Sequence, residues 1–233
     1  MKERVQLQPA WILRHQPYRD SSLLLEVLSP QHGRMGLVAR GVRGKNSARR
    51  ALLQSFRPLL MSWSGGGDLA TLGNCEADGP MQLLTGKALY CGWYVNELCL
   101  RLLARRDPHP DLYPIYVATL HRLAAGELEP ALRVFEKRLL EETGYGLVLE
   151  VSNPASLYGY DFDRGPVEVG PDKPEAMRGD SLLALAQERF GTEQQLKDAK
   201  RLLRQALRRQ LGGRELESVK ALKALQQAGQ KTR

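Results

Sequence analysis

Ser29-Pro30-Gln31-His32-Gly33-Arg34-Met35-Gly36-Leu37-Val38-Ala39-Arg40-Gly41 is the stretch that decides the fold of the first third of this chain. Pro30 fixes one backbone angle and Gly33 tolerates a positive one. Strand-forming residues lie on either side, from Ser22 to Ser29 and from Arg34 to Arg40. This is the chemistry of a turn between two strands of a hairpin. Working outward, Val5 to His15 reads as a strand before the hairpin, Phe56 to Trp63 as a fourth strand, and Leu69 to Ala77 as a fifth after the Ser64-Gly65-Gly66-Gly67-Asp68 turn. Five short strands at this spacing suit a small barrel. The OB-fold is the five-stranded barrel whose open face and loops commonly receive single-stranded nucleic acid, although an SH3-like barrel reads much the same.

The same region is strongly basic. From Val27 to Gly67, forty-one residues contain no Asp or Glu but carry Arg34, Arg40, Arg43, Lys45, Arg49, Arg50 and Arg57. A second basic region, Lys197 to Arg233, holds eleven Lys or Arg against three acids, so a chain of net charge +8 has an acidic remainder. Two separated cationic regions can each bind a phosphate backbone through counterion release. Gly41 to Arg50 is the expected backbone clamp, because its glycines permit close approach and its cations surround Asn46 and Ser47. It is not a P-loop: Gly44-Lys45 is followed by Asn46, and the required earlier glycine is missing. The acid-free stretch offers no carboxylate for a divalent metal, and His15, His32, His109 and His121 have no ligand or catalytic spacing. Trp11, Tyr18, Phe56 and Trp63 are the aromatics of this region that could stack on bases.

At 233 residues with 42% apolar content, the composition is that of a globular protein able to bury one large core or two small ones. No apolar run approaches the roughly 18 residues that a bilayer span needs, and Met1 to Ala10 lacks a secretory signal pattern, so a cytoplasmic location is expected. Cys75, Cys91 and Cys99 form no CxxC pair and read as buried thiols.

From Met81 the periodicity becomes helical. A helix over Ala88 to Arg105 is expected to end near Asp107-Pro108, since the residue before proline avoids the helical region. Asp111 is expected to cap a second helix that stops at Gly126. A third starts near Pro130, buries Ala131, Leu132, Phe135 and Leu139, and stops at Gly144. Arg133, Lys137 and Arg138 lie opposite that apolar stripe and read as a solvated face. Leu147 to Asp180 reads as irregular chain with a short hairpin around Leu157 to Val169. Glu193 to Leu211 is a helix with Leu196, Ala199, Leu203, Ala206 and Leu207 on one face and Lys197, Lys200, Arg201, Arg204 and Arg208 on an adjoining arc. Gly212-Gly213 stops it, and Glu217 to Gln227 adds another helix. The fold class is therefore α+β: an N-terminal five-stranded OB-fold β-barrel over 1–80, then a mainly α-helical domain over 81–233 with an irregular insertion near 147–180 and a basic C-terminal helix.

The chain resembles the RecO family of bacterial recombination mediators over nearly its full length. The resemblance rests on Gly33 to Gly41 followed by Ser47 and Leu53-Gln54-Ser55-Phe56-Arg57-Pro58-Leu59, on Tyr94-Val95-Asn96-Glu97-Leu98, on Arg133-Val134-Phe135-Glu136 with Leu139-Leu140 and Gly144-Tyr145, and on Leu211-Gly212-Gly213 with Leu216-Glu217-Ser218. It implies a non-enzymatic DNA-binding mediator of DNA repair that takes single- and double-stranded DNA and anneals complementary strands. With RecR, it would help to load RecA on DNA coated by the single-stranded-DNA-binding protein. It also implies that the acidic C-terminal tail of that coating protein docks on Arg133, Lys137 and Leu140, which revises the solvated-face reading of that helix. Some relatives carry a four-cysteine zinc module where Leu147 to Asp180 has no cysteine, so neither zinc nor another cofactor is expected, and a monomer is. The alternative function is an RNA-binding or ribosome-associated OB-fold adaptor, because OB-folds and basic helices bind RNA equally well.

Overall fold

Alternating inward and outward side chains close the first strands into a barrel. The structure, a computed structural model, describes residues 4–44 and 48–231. Strands β1 (Arg4–Tyr18), β2 (Ser22–Ser29) and β3 (Gly33–Ala39) lead through a short helix α1 (Ala48–Leu52) to β4 (Pro58–Ser64) and β5 (Leu69–Ala77). The barrel order is β1-β2-β3-β5-β4, closed by β1 pairing with β4, and only the β3–β5 pair is parallel. This is the expected OB arrangement. Ile12, Leu25, Val27, Leu37, Leu59, Met61 and Trp63 fill its interior.

Gly33 ends the β2–β3 turn with φ +62, and a Cβ there would sit 2.0 Å from the Asp107 carbonyl oxygen, so both backbone conformation and space require glycine. The fourth strand begins at Pro58 and not at Phe56, because Phe56 has φ +64 and leaves the extended region. From there its carbonyl accepts from the Gln82 amide at 2.7 Å, and its ring packs so closely on Gly92 that a Cβ there would come within 2.9 Å of it.

One irregularity in β1 links the barrel to the helices that follow. Ile12 pairs with Val27 but Arg14 pairs with Glu26, so Leu13 is an extra residue, a β-bulge. The buried side chain of Asn96 donates to the Leu13 carbonyl at 3.0 Å and accepts from the Tyr116 hydroxyl at 2.8 Å. Asn96 lies on α2 (Gly86–Leu102) and Tyr116 on α3 (Leu112–Ala124). The Tyr116 ring meets Trp11 edge-on at 5.9 Å. Helix α2 ends at Leu102, well before Asp107-Pro108, because the next residues turn to the barrel: Arg105 bridges Arg34, and the Arg106 amide donates to the Arg34 carbonyl at 2.9 Å. Asp111 precedes α3 in a helical conformation and makes no capping hydrogen bond with its side chain, contrary to expectation.

Residues Gly126–Glu215 form a second compact unit, whereas Met1–Ala125 and Leu216–Arg233 together form the first. The second unit contains α4 (Leu128–Glu142), a small sheet of β6 (Leu157–Asp161), β7 (Gly165–Glu168) and β8 (Met177–Arg178), then α5 (Gly179–Ala186) and α6 (Glu193–Gln210). The β6–β7 hairpin lies within the expected segment, while α5 and β8 were not foreseen. A reciprocal capping box starts α6, with the Thr192 hydroxyl accepting from the Gln195 amide and the Gln195 side chain accepting from the Thr192 amide, both at 3.2 Å. Helix α7 (Glu217–Lys231) returns to the first unit against α2. Its N-terminus is capped by Glu97 of α2, whose carboxylate accepts from the amides of Glu217 (3.0 Å) and Ser218 (2.9 Å) and from the Ser218 hydroxyl (2.7 Å). Among the described residues no helix is long and apolar enough to cross a membrane.

Two stability predictions follow from these polar anchors. Asn96→Ala, which removes the partner of a buried carbonyl, is expected to cost about 2 kcal/mol in a denaturant titration, and Asn96→Asp at least as much, because a carboxylate would then face the Leu13 oxygen. For Glu97, burial alone would raise the carboxyl, but the Ser218 amide and hydroxyl, the Glu217 amide and Arg101 together bring it below its ordinary 4.5. A carboxyl lowered in the folded state contributes stability that is fully present above the unfolded value and is lost as pH falls through the folded one. Glu97→Gln is therefore expected to cost about 1 kcal/mol at pH 7, with the gap to the parent protein narrowing as the pH drops below about 4.5. Denaturant midpoints measured across that range check this.

Candidate nucleic-acid interface

The exposed cations of the barrel gather where β3 ends. Arg40 leaves β3 exposed to solvent. Arg43, also exposed, donates its guanidinium to the Arg19 carbonyl at 2.8 Å, while its amide donates to the Ser21 carbonyl at 3.0 Å. This pins the loop after β3 to the β1–β2 turn. Arg19 lies in that turn, exposed, with its guanidinium 5.3 Å from the Tyr18 ring centroid. Arg19, Arg40 and Arg43 make no ion pair among the described residues, so their charge is uncompensated by a carboxylate. Arg49, half-buried, donates to the Gly73 carbonyl on β5, and Arg50 is exposed in the middle of α1. Lys45 lies outside the described residues.

Two of the expected contacts sit apart from that group. Arg34 is largely buried, donating to the Leu100 carbonyl and approaching Glu26 at 3.6 Å. Burial pulls its guanidinium below the ordinary value, Glu26 opposes this, and Arg105 and Arg14 add to it. Arg57 is half-buried with its Nε enclosed. Of the stacking candidates, Trp11, Phe56 and Trp63 are at most 5% exposed and present no face to a base, and Tyr18 alone is partly open. Burial also pushes the Cys75 thiol up to about 11 and the Cys99 thiol up to about 12, so neither is a thiolate near neutral pH.

In the second unit, Ala199, Leu203, Ala206 and Leu207 of α6 are buried together with Leu202, whereas Leu196 is only half-buried. The cationic arc is divided. Lys197 pairs with Glu193 at 2.9 Å, Lys200 with Glu129 at 2.7 Å, and Arg201 with the buried Asp198 at 3.0 Å. Arg204 and Arg208 are exposed and make no ion pair among the described residues. Solvated pairs such as Lys197–Glu193 are weak and exchange readily with another anion.

The cations of α4 are not a solvated face. Arg133 is 3% exposed, held by Glu136 at 2.7 Å and Glu129 at 3.2 Å, and Lys137 is 7% exposed, held by Glu188 at 2.8 Å and Glu141 at 2.9 Å. Leu140 is fully buried. Arg138, by contrast, keeps nearly half its side chain in solvent while pairing with Glu188 at 2.6 Å.

The model of the N-terminal part of recombination protein O matches residues 1–80, the barrel, and that of its C-terminal part matches 83–153. This chain belongs to the RecO family. Among its relatives, the DNA repair protein RecO of Methylococcus capsulatus is 48% identical over 92% of each chain. That of Nitrosococcus oceani is 45% identical over 99% of this chain and 98% of its own. That of Aromatoleum aromaticum is 42% identical over 97% and 98% respectively. The Asn96-Glu97 and Leu216-Glu217-Ser218 motifs that carried the RecO resemblance turn out to be the bulge anchor and the helix cap.

Residues that the sequence reading passed over are Arg14, Arg19 and Arg105. Arg14 and Arg19 lay outside the acid-free stretch, and Arg105 sat at the end of an expected helix. The pairing of Arg133 generates a contrast in stability. Arg133→Ala leaves Glu136, 2% exposed, without its guanidinium and is expected to destabilise by about 3 kcal/mol. Lys197→Ala, which breaks a solvated pair, should change stability by under about 0.5 kcal/mol. Urea midpoints of the two variants check the contrast.

Proposed function

We propose that this protein is a non-enzymatic DNA-binding mediator of DNA repair whose barrel, residues 1–80, clamps the phosphate backbone at the end where β3 leaves it. The observation that carries this reading is the group Arg19, Arg40 and Arg43: three exposed guanidiniums without ion pairs among the described residues, of which Arg43 is anchored to the backbone of the β1–β2 turn at Arg19 and Ser21, beside a stretch without one acidic residue. Guanidiniums held in this way neutralise phosphates at little cost in side-chain order and release counterions. The names of the relatives, DNA repair protein RecO, support the same reading.

By neutralising phosphate repulsion, such a surface lets complementary strands nucleate, so strand annealing on DNA coated by the single-stranded-DNA-binding protein belongs to this proposal. So does cooperation with RecR in loading RecA. Arg204 and Arg208 of α6 give the second unit a cationic contact of its own for single- or double-stranded DNA. An acidic tail of the coating protein that docks at Arg133 and Lys137 would exchange its carboxylates with Glu129, Glu141 and Glu188, which already hold those cations.

The test is a salt titration of binding to a fluorescein-labelled oligothymidylate, followed by anisotropy. Each phosphate contact on a single strand contributes about 0.7 to the slope of log affinity against log salt, so Arg40→Ala/Arg43→Ala should flatten the slope by about 1.4 and weaken binding at low salt. An unchanged slope would remove the barrel clamp. Stronger competition by an oligouridylate than by an oligothymidylate of equal length would favour the RNA reading.

A further inference from the structure

The bulge at Leu13 has a chemical outcome on the outer face of the barrel. Because β1 gains one residue there, Arg14 falls directly opposite Glu26, and the register continues across the sheet as Arg14, Glu26, Gly36 and Leu69 on β1, β2, β3 and β5. Glu26 is 5% exposed, and two guanidiniums approach it while a third arginine stands opposite it in the strand register. Arg105, from the segment after α2, donates to it; Arg34 approaches it at 3.6 Å from β3; Arg14 stands across from it on β1. Gly36 lies beside this group: a Cβ there would come within 2.8 Å of the Asp68 carbonyl oxygen and stand in ordinary contact, 3.6 Å, with the Arg105 guanidinium carbon. One carboxylate among three guanidiniums leaves two positive charges over. Arg14 is exposed and makes no ion pair among the described residues, and Arg105 keeps about a third of its side chain in solvent.

We infer that Arg105, held by Glu26, and Arg14, set opposite Glu26 by the bulge, form a phosphodiester subsite on the outer face of the β1–β2–β3 sheet, with Glu26 as its positioning residue. The subsite rests on the nucleic-acid reading above. It takes an anion because two guanidiniums with surplus charge match the two free oxygens of a phosphate, and a buried carboxylate fixes Arg105 before the ligand arrives. A carboxylate would ordinarily weaken a phosphate site by repulsion. Here it is buried and engaged by Arg105 and Arg34, so the exposed part of Arg105 and the exposed Arg14 are what the ligand meets.

The role of Glu26 has an opposite sign in the two possible accounts, and that decides the test. If Glu26 only neutralises, Glu26→Gln adds net positive charge and must tighten oligothymidylate binding. If it positions, Glu26→Gln must weaken binding although the charge has risen. We expect weakening of about 3- to 10-fold, with a smaller salt slope. Since Glu26 is buried, its variant is read beside Arg14→Ala and Arg14→Lys, which change an exposed side chain. Arg14→Ala should lower the slope by about 0.7, and Arg14→Lys should restore most of it. Tighter binding by Glu26→Gln, or an Arg14→Ala slope equal to that of the parent, would overturn the subsite. These outcomes are separate from a failure of the broader reading, in which the parent protein itself would show no salt-dependent binding to the oligonucleotide.

Discussion

The Leu13 carbonyl is the group on which the first unit depends. A bulge leaves a backbone oxygen without a ladder partner, and in a buried place that oxygen must be satisfied by something else. Asn96 satisfies it from α2, and Tyr116 of α3 completes the amide on its other side. One unmet hydrogen bond in a strand therefore dictates where two helices dock. The same extra residue turns the alternation of β1 by one step, so Ile12 points to the core while Arg14 faces out beside Glu26. Docking and surface charge are two results of a single inserted residue.

Charge in this chain is sorted by burial more than by position in the sequence. Arg34, Arg133 and Lys137 are cations of the interior, each close to carboxylates that offset its desolvation, and their removal affects folding before it affects binding. Arg19, Arg40, Arg43, Arg204 and Arg208 remain in water with no carboxylate attached among the described residues. Only the second group can exchange counterions for a polyanion without first breaking an internal pair. A count of basic residues merges the two, and net charge hides both.

The strands were legible because turn chemistry is local: Pro30 with Gly33, and the Gly65 to Gly67 run, mark the ends of hairpins whatever packs on them. Closure of the barrel followed from the number of strands. The bulge was not legible, since it is a relation of register between β1 and β2 and leaves no composition of its own. Helical periodicity placed Phe135 and Leu139 in the core correctly, but it assigns every charged residue to solvent, and so it could not tell Arg133 and Lys137 from Arg138. Carboxylates do not make the difference, since Glu188, some fifty residues further on, pairs with both Lys137 and Arg138; tertiary packing buries the first two cations and leaves the third in solvent. Arg105 was hidden for a similar reason: proline set the expected end of α2, whereas pairing with Arg34 ended it earlier.

Helix α7 closes the first unit from the far side of the chain, after the 126–215 unit has been made. On a ribosome the barrel can form once β5 has emerged, and α2 and α3 can dock on the bulge soon after. The carboxylate of Glu97 must then wait through about ninety further residues before the amides it caps exist. Until those amides are made, Arg101, one turn on in α2 and 3.6 Å away, is the counter-charge that Glu97 has at hand, and the first unit is completed by a helix synthesised after the second unit's residues. The order of synthesis thus runs from the barrel through the 126–215 unit to the helix that Glu97 caps.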